Sequence, residues 1–195
     1  ETKKVGNSSE ITINGKKNLT PKNIDVPADL SSSSFLIVAA LINKNSNITL
    51  ENININPTRN GLLIALEKMG ANIKIFNHKT IAGEIVADIN VKSSELSGCE
   101  LDKEMAKLMI DEFPILSVAA SQANSPSYFK GLDELRVKES DRLELINDNL
   151  NRCGYYSKIK DNDLFIDPTK NKQIINSAIR TDFDHRIAMS FAVLG

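Results

Sequence analysis

One order of secondary-structure signals recurs along this chain, and that recurrence restricts its fold more than any other feature. In the first copy a Ser run, Ser31 to Ser34, leads into the apolar stretch Phe35–Ile42. Serines ahead of a continuous apolar run suit helix N-caps, so a buried helix is expected there. Ile48–Ile53 alternates as a strand does. Asn56-Pro57-Thr58 then opens an amphipathic helix with Leu62, Leu66 and Met69 on one face and Gly70 as its stop. Strands over Asn72–Phe76 and Glu84–Val91 complete the copy, and Ile24–Val26, before Pro27, reads as the strand that starts it.

The second copy has the same parts. MIDEFPILSVAASQA is an apolar helix, Ser127–Gly131 a strand, and Ser140–Cys153 an amphipathic helix carrying Leu143, Ile146 and Leu150. Gly154 stops that helix as Gly70 stops the first, and strands at Tyr156–Ile159 and Asp163–Ile166 follow. A third copy starts at Ile179-Arg180-Thr181, enters the helix DHRIAMSFAVLG, and is truncated. The period is roughly 75–85 residues, too long for a solenoid. The expected fold is α/β (α+β): repeated βαβαββ units around buried helices, the apolar helices inside and the amphipathic ones outside. Ahead of the first copy, residues 1–23 are polar apart from a strand-like Ile11–Ile13.

Composition excludes several function classes. A net charge of −1 over 195 residues leaves no basic footprint for nucleic acid. No apolar run approaches the roughly 18 residues of a membrane-spanning helix. Cys99 and Cys153 lack metal-ligand spacing and read as free thiols of a reducing compartment. Glu1 at the start and an uncapped apolar helix at Gly195 lead us to expect a piece of a longer protein.

The segment DELRVKESDRL carries the chemistry. Read as a helix start, it sets Lys138, Glu139 and Arg142 on one turn, just before the apolar stripe that begins at Leu143. Basic residues are disfavoured at a helix N-terminus, where the macrodipole is already positive. Their presence beside a carboxylate points to a bound anion and a proton-transfer group. Ordinary surface charge pairing at i,i+3 and i,i+4 is the competing explanation. Asp111, shortly before Pro114, suits a first helical turn, where simple helix-end electrostatics could account for it. Asp184 reads as an N-cap, His185 as structural, and Arg186 as another cation at a positive helix end. Arg59 shares that odd placement and reads as structural, paired with a neighbouring carbonyl.

Arg136-Val137-Lys138-Glu139-Ser140-Asp141-Arg142-Leu143 resembles, without departure, the signature of the 5-enolpyruvylshikimate-3-phosphate synthase family. ADLSSSSFLIVAALI, NPTRNGLLIALEKMGA, DEFPILSVAA and DHRIAMSFAVLG fall in the order that family shows. The resemblance implies two similar domains of three units each, with residues 1–25 ending the N-terminal domain and crossing over. Residues 26–195 would then form an incomplete C-terminal enolpyruvyl-transferase domain. It further implies transfer of the enolpyruvyl group of phosphoenolpyruvate to the 5-hydroxyl of shikimate 3-phosphate, with release of phosphate, in cytoplasmic aromatic amino-acid biosynthesis. Asp111 would contact shikimate 3-phosphate and act as base, and Lys138 would bind the shikimate moiety. Glu139 would move the proton at the methylene carbon, while Arg142 and Arg186 would bind phosphoenolpyruvate. The family reaction uses no metal or organic cofactor, and glyphosate inhibition is a family trait. Glu134 stands where the family often has a substrate contact, and its role stays open.

The expected partners are the two small-molecule substrates and the missing N-terminal domain of the same chain, with neither nucleic acid nor membrane. Residues 1–195 alone are expected to be inactive. Two alternatives remain: the sister transferase acting on UDP-N-acetylglucosamine, which carries a cysteine loop and lacks RVKESDR, and a non-catalytic α/β repeat module that binds a partner.

Overall fold

Two glycines with left-handed backbone mark the repeat in three dimensions. The computed structural model describes residues 1–16 and 18–195. Gly70 (φ +83°) follows helix α2 (Gly61–Lys68), and Gly154 (φ +91°) follows α5 (Arg142–Arg152). Both helices end in the same paired bonds. The Ala71 amide donates to the Leu66 carbonyl and Gly70 to Glu67; Tyr155 donates to Leu150 and Gly154 to Asn151. That is the Schellman pattern, which needs a left-handed residue just beyond the cap.

Each copy builds one sheet, and the strand orders correspond. Strands β3 (Asn47–Asn54), β4 (Asn72–Ile81) and β5 (Glu84–Lys92) lie in the order β3-β5-β4, all antiparallel. The second sheet contains β6 (Glu100–Leu101), β7 (Ser127–Phe129), β8 (Ser157–Lys160) and β9 (Asp163–Ile166), ordered β6-β7-β9-β8. Here β6 runs parallel to β7. In the first copy the equivalent of β6 has shrunk to one parallel bridge between Ala28 and Ile53.

The expected βαβαββ architecture is therefore observed, with local corrections. Ile24–Val26 forms no strand and is exposed, because the sheet offers a partner only at Ala28. The strand-like stretch near Ile11 is the end of a hairpin, β1 (Thr2–Val5) with β2 (Ser8–Ile11), exposed along its length. Ile179–Thr181 is not a strand either. A short helix, α3 (Lys103–Met109), capped by the Asp102 side chain, was not foreseen.

Three apolar helices pack together, each against the other two: α1 (Leu30–Ile42), α4 (Phe113–Ser121) and α6 (His185–Leu194). Helix α6 is not wholly inside as expected, burying Ile187, Ser190 and Phe191 and leaving Ala188, Met189 and Ala192 exposed. Every residue of α4 is buried. The serines of α1 do not cap it. Asp29 caps, accepting from the Ser31 and Ser32 amides, and Ser33 and Ser34 return their hydroxyls to backbone carbonyls within the helix. Ser117, Ser121 and Ser190 do the same in α4 and α6. Small side chains that satisfy themselves can be buried between helices without an orphaned hydroxyl. The amphipathic α2 and α5 cover the outside and bury Leu62, Leu66, Leu143, Ile146 and Leu150.

The two glycines differ in surroundings. A Cβ on Gly154 would lie 2.3 Å from the Gln173 carbonyl oxygen, whereas one on Gly70 meets nothing within 4 Å. Gly70→Ala should therefore cost only the left-handed penalty of about 1–2 kcal/mol, and Gly154→Ala clearly more. Urea denaturation of both variants checks this, and equal losses would contradict it.

Candidate active site

Arg142, the first residue of α5, is fully buried (0% exposed) with its guanidinium turned toward the interior helices. Its Nε donates to Asp184 Oδ2 at 2.7 Å, its Nη1 to Asp111 Oδ1 at 3.0 Å, and its Nη2 to Glu139. Lys138 Nζ lies 3.4 Å from the same Asp111 oxygen. Arg186 Nη1 donates to Ser31 Oγ at 3.1 Å and to the Asp111 carbonyl at 3.3 Å. The fold thus brings Asp111, Lys138, Glu139, Arg142 and Arg186 into one network, drawn from segments far apart in sequence.

The local geometry of RVKESDR differs from the expected helical turn. A 3-10 turn spans Asp133–Val137, Lys138 is extended (φ −84°, ψ −155°), and the helix begins only at Arg142, with Asp141 as N-cap. Lys138 and Glu139 therefore lie on a bend before the helix. Arg136 explains the bend: Nη1 holds Asp141 at 2.9 Å, Nε holds the Asn162 side chain, and Nη2 holds the Asp161 carbonyl. One half of the motif anchors the segment to the β8–β9 turn, and the other half points into the cluster. Asp111 likewise sits in a 3-10 turn, Ile110–Glu112, just ahead of α4 rather than inside it.

Asp184 is the N-cap expected from the sequence, but its place in the cluster, like those of Glu112 and Arg59, was not foreseen. Asp184 caps α6, accepting from the Arg186 amide at 2.9 Å and the Ile187 amide at 3.4 Å, and it also holds Arg142 and the Ser140 hydroxyl. Glu112 is 2% exposed and accepts from Ser31 Oγ. The Arg59 side chain pairs with no carbonyl among the described residues; its Nη2 lies 3.6 Å from both Asp111 Oδ2 and Glu112 Oε1. The adjacent acids Asp111-Glu112 were the available signal. Their partners arrive from residues 31, 59 and 186, which no local pattern reveals. His185 and Glu134 are exposed.

Burial pushes the Asp111 carboxyl up, but the Lys138 and Arg186 charges outweigh it and leave the group below the usual carboxylate value. Asp184 follows the same logic, with burial outweighed by the hydrogen bonds from Arg142 and Ser140. Glu112 goes the other way. Burial raises it more than Ser31, Arg59 and Arg186 lower it, and Asp111 adds to the rise. Among the described residues no group of three or more His, Cys, Asp or Glu side chains is arranged to hold a metal ion, and no helix is long and apolar enough to cross a membrane.

Replacing Arg142 by Met leaves Asp184 buried without its cation. The expected loss is about 3–5 kcal/mol near pH 7. A carboxyl lowered in the folded state contributes stability above its unfolded value of about 3.9, and loses it as pH falls through the folded value. In the variant the unpaired Asp184 takes up a proton early, so the deficit should shrink toward pH 4. Denaturation at both pH values tests this; a loss below about 1 kcal/mol near pH 7, or one independent of pH, would contradict it.

Comparison with known proteins gives consistent matches. Residues 2–195 match the family model described as EPSP synthase (3-phosphoshikimate 1-carboxyvinyltransferase). A 3-phosphoshikimate 1-carboxyvinyltransferase from Sphingopyxis alaskensis is 45% identical over 98% of this chain and 43% of its own. One of the same description from Petrotoga mobilis is 47% identical over 92% of this chain and 41% of its own. An EPSP synthase structure from Acinetobacter baumannii superposes on the whole chain with a TM-score of 0.87 and 36% identity, covering 44% of that protein. The enolpyruvyl transferase NikO from Streptomyces tendae shares the fold over 71% of this chain and 29% of its own, with a TM-score of 0.51 at 16% identity. The chain spans less than half the length of the curated relatives it matches.

Proposed function

The chain belongs to the EPSP synthase family, and on that premise we propose that it forms one wall of the active site of a 3-phosphoshikimate 1-carboxyvinyltransferase. The observation that carries the reading is the joining of Asp111, Lys138, Glu139, Arg142 and Arg186 in one network. Residues 1–25 are then the end of the other domain and the crossover, and the remainder of the cleft comes from that domain. The protein is assigned to the cytoplasm.

The geometry suits the division of labour. Asp111 Oδ1 is held by Arg142 and Lys138, while Oδ2 turns toward Arg59 at more than hydrogen-bond range. Oδ2 is thus the oxygen that accepts the proton of the shikimate 5-hydroxyl. The same cations that lower Asp111 keep it ionised and ready as a base, and a substrate anion beside it raises its proton affinity when needed. Glu139, with a half-exposed side chain tethered to Arg142, takes up a proton from solvent before the addition, delivers it to the methylene carbon of phosphoenolpyruvate and takes it back during elimination. Lys138, Arg142 and Arg186 hold the phosphate and carboxylate groups, for which the planar guanidinium fork is suited. Addition gives a tetrahedral intermediate that keeps its phosphate, and elimination expels it. Charge concentrated in a water-excluded cleft stabilises both steps.

The rival acting on UDP-N-acetylglucosamine has less support. Cys99 and Cys153 are free and stand outside the cluster, and burial pushes Cys99 up to about 11 and raises Cys153, the opposite of an activated thiol. A non-catalytic module gives no reason for a buried arginine shared among three carboxylates.

In the complete enzyme, Asp111→Asn should lower turnover by about 10²–10⁴-fold, the usual contribution of a positioned base, with thermal unfolding close to wild type. Near-normal turnover in a folded variant would rule the assignment out. Residues 1–195 alone should show no synthase turnover, and detectable turnover by the purified segment would overturn the dependence on the other domain.

A further inference from the structure

Glu112 has no part in the mechanism above, yet it is the most buried carboxylate lining an open cleft of about 300 Å³ that Asp29, Ser31 and Arg59 also line. Its two oxygens differ sharply. Oε1 accepts the Ser31 hydroxyl and faces Arg59 Nη2 at 3.6 Å and Arg186 Nη1 at 3.9 Å. Oε2 is buried with no hydrogen-bond partner among the described residues. The two arginines are too far from Glu112 for hydrogen bonds, so Glu112 attracts them by charge alone, while Arg186 Nη1 donates to Ser31 Oγ and to the Asp111 carbonyl. An ionised carboxylate with one bare buried oxygen is costly, and a proton on that oxygen removes the charge.

We infer that Glu112 is a proton-coupled positioning residue: ionised, it holds Arg59 at the cleft wall and draws Arg186 toward itself from behind it, and on arrival of a phosphate- or carboxylate-bearing anion it takes a proton from solvent onto Oε2 and gives up its hold on both arginines to that anion. The inference rests on the synthase reading for the identity of the anion, though not for the coupling itself.

The surrounding groups single out Glu112 as the one that changes charge. Asp29 and Ser31 face it from α1, Arg59 from the turn before α2, Asp111 from its own 3-10 turn, and Arg186 from α6, with Glu84 across the cleft. The arginines stay charged at every relevant pH. Burial raises Asp29 and Asp111, but hydrogen bonds from Ser32 to the first, and the Lys138 and Arg186 charges beside the second, more than offset it, so both remain ionised. Glu112 is raised by burial already, and an anion drawing Arg59 and Arg186 away removes the two charges that oppose the rise.

The test compares the complete wild-type enzyme with Glu112→Gln, a permanent mimic of the protonated form, at saturating shikimate 3-phosphate. The KM for phosphoenolpyruvate is measured from about pH 5.5 to 8.5, a span that reaches well above the ordinary carboxylate range. The ratio of wild-type to variant KM should climb with pH, by at most about tenfold per unit for one proton, while the ratio of kcat values stays constant. Titration of the substrate itself cancels in both ratios. A KM ratio independent of pH would overturn the inference. Should the variant not fold, or the wild type show no synthase turnover, sulfate decides, because its charge is constant across this range. Calorimetric titration of wild-type protein with sulfate in two buffers of different ionisation enthalpy should show proton uptake on binding. No sulfate binding, or binding without uptake, would sink the coupling, whereas absent turnover alone would sink only the synthase reading.

Discussion

The pairing of Arg142 with Asp184 organises more of this molecule than its size suggests. Asp184 fixes the start of α6 by accepting two amide hydrogens, and the same carboxylate receives the Arg142 side chain from the start of α5. Because both side chains are buried, neither can drift toward water without exposing the other. Burying two charges costs several kcal/mol per ion before their attraction is counted, so net stability alone does not explain the pair. What it provides is position. Arg142 can reach Asp111 and Glu139 only from the place Asp184 gives it, and Lys138 meets Asp111 beside that contact.

The repeat explains why such a cluster forms where it does. Helices α1, α4 and α6 are equivalent parts of successive units and pack together, so their N-termini come to one end of the interior. Each terminus brings unsatisfied amides and the positive pole of its dipole. The chain meets all three with acids: Asp29 on α1, Asp111 and Glu112 ahead of α4, and Asp184 on α6. Arginines placed among these acids would be out of place at an isolated helix start. Here they are held by carboxylates that the dipoles themselves favour, and the result is a cluster of paired charges rather than a simply basic surface.

How far this was legible depends on the range of the interaction. The helix stops at Gly70 and Gly154 were readable because a Schellman ending is local and leaves a glycine in the sequence. Strands β4, β5, β8 and β9 were readable for a similar reason, since each is joined to its partner by a short turn. Ile24–Val26 has strand-like side chains, but a strand exists only with a neighbour, and the sheet supplies one at Ala28 alone. Helix α3 is seven residues long, and only the capping pair Asp102 and Glu104 announced it. In RVKESDR the gathering of charged side chains was readable and the backbone geometry was not. Ser140 and Asp141 are both good caps, and what selects Asp141 is the Arg136 side chain together with the β8–β9 turn. Glu112 and Arg59 lay beyond sequence reasoning because their meaning comes from Ser31 and Arg186, at opposite ends of the domain.

The arithmetic of the cluster constrains how a substrate can enter it. Arg59, Lys138, Arg142 and Arg186 face Asp111, Glu112, Glu139 and Asp184, so the formal charges cancel within the chain. An anion therefore cannot simply add to free cations; it has to exchange partners with carboxylates already present. Asp184 is the least exchangeable, being buried and tied to two amides, a hydroxyl and Arg142. Glu139 is the most exchangeable, being half exposed and held by Arg142 alone among these cations. Arg59 and Arg186 lie between, close to Glu112 but not hydrogen-bonded to it. Under the proposed function, exchange would run from the rim inward, with Glu139 and the two outer arginines moving while the Arg142–Asp184 pair stays as the fixed point. Such a site would then bind a highly charged ligand and still keep its interior neutral, because Glu139 can swing into solvent and Glu112 can accept a proton, while Asp184 keeps its hold on Arg142.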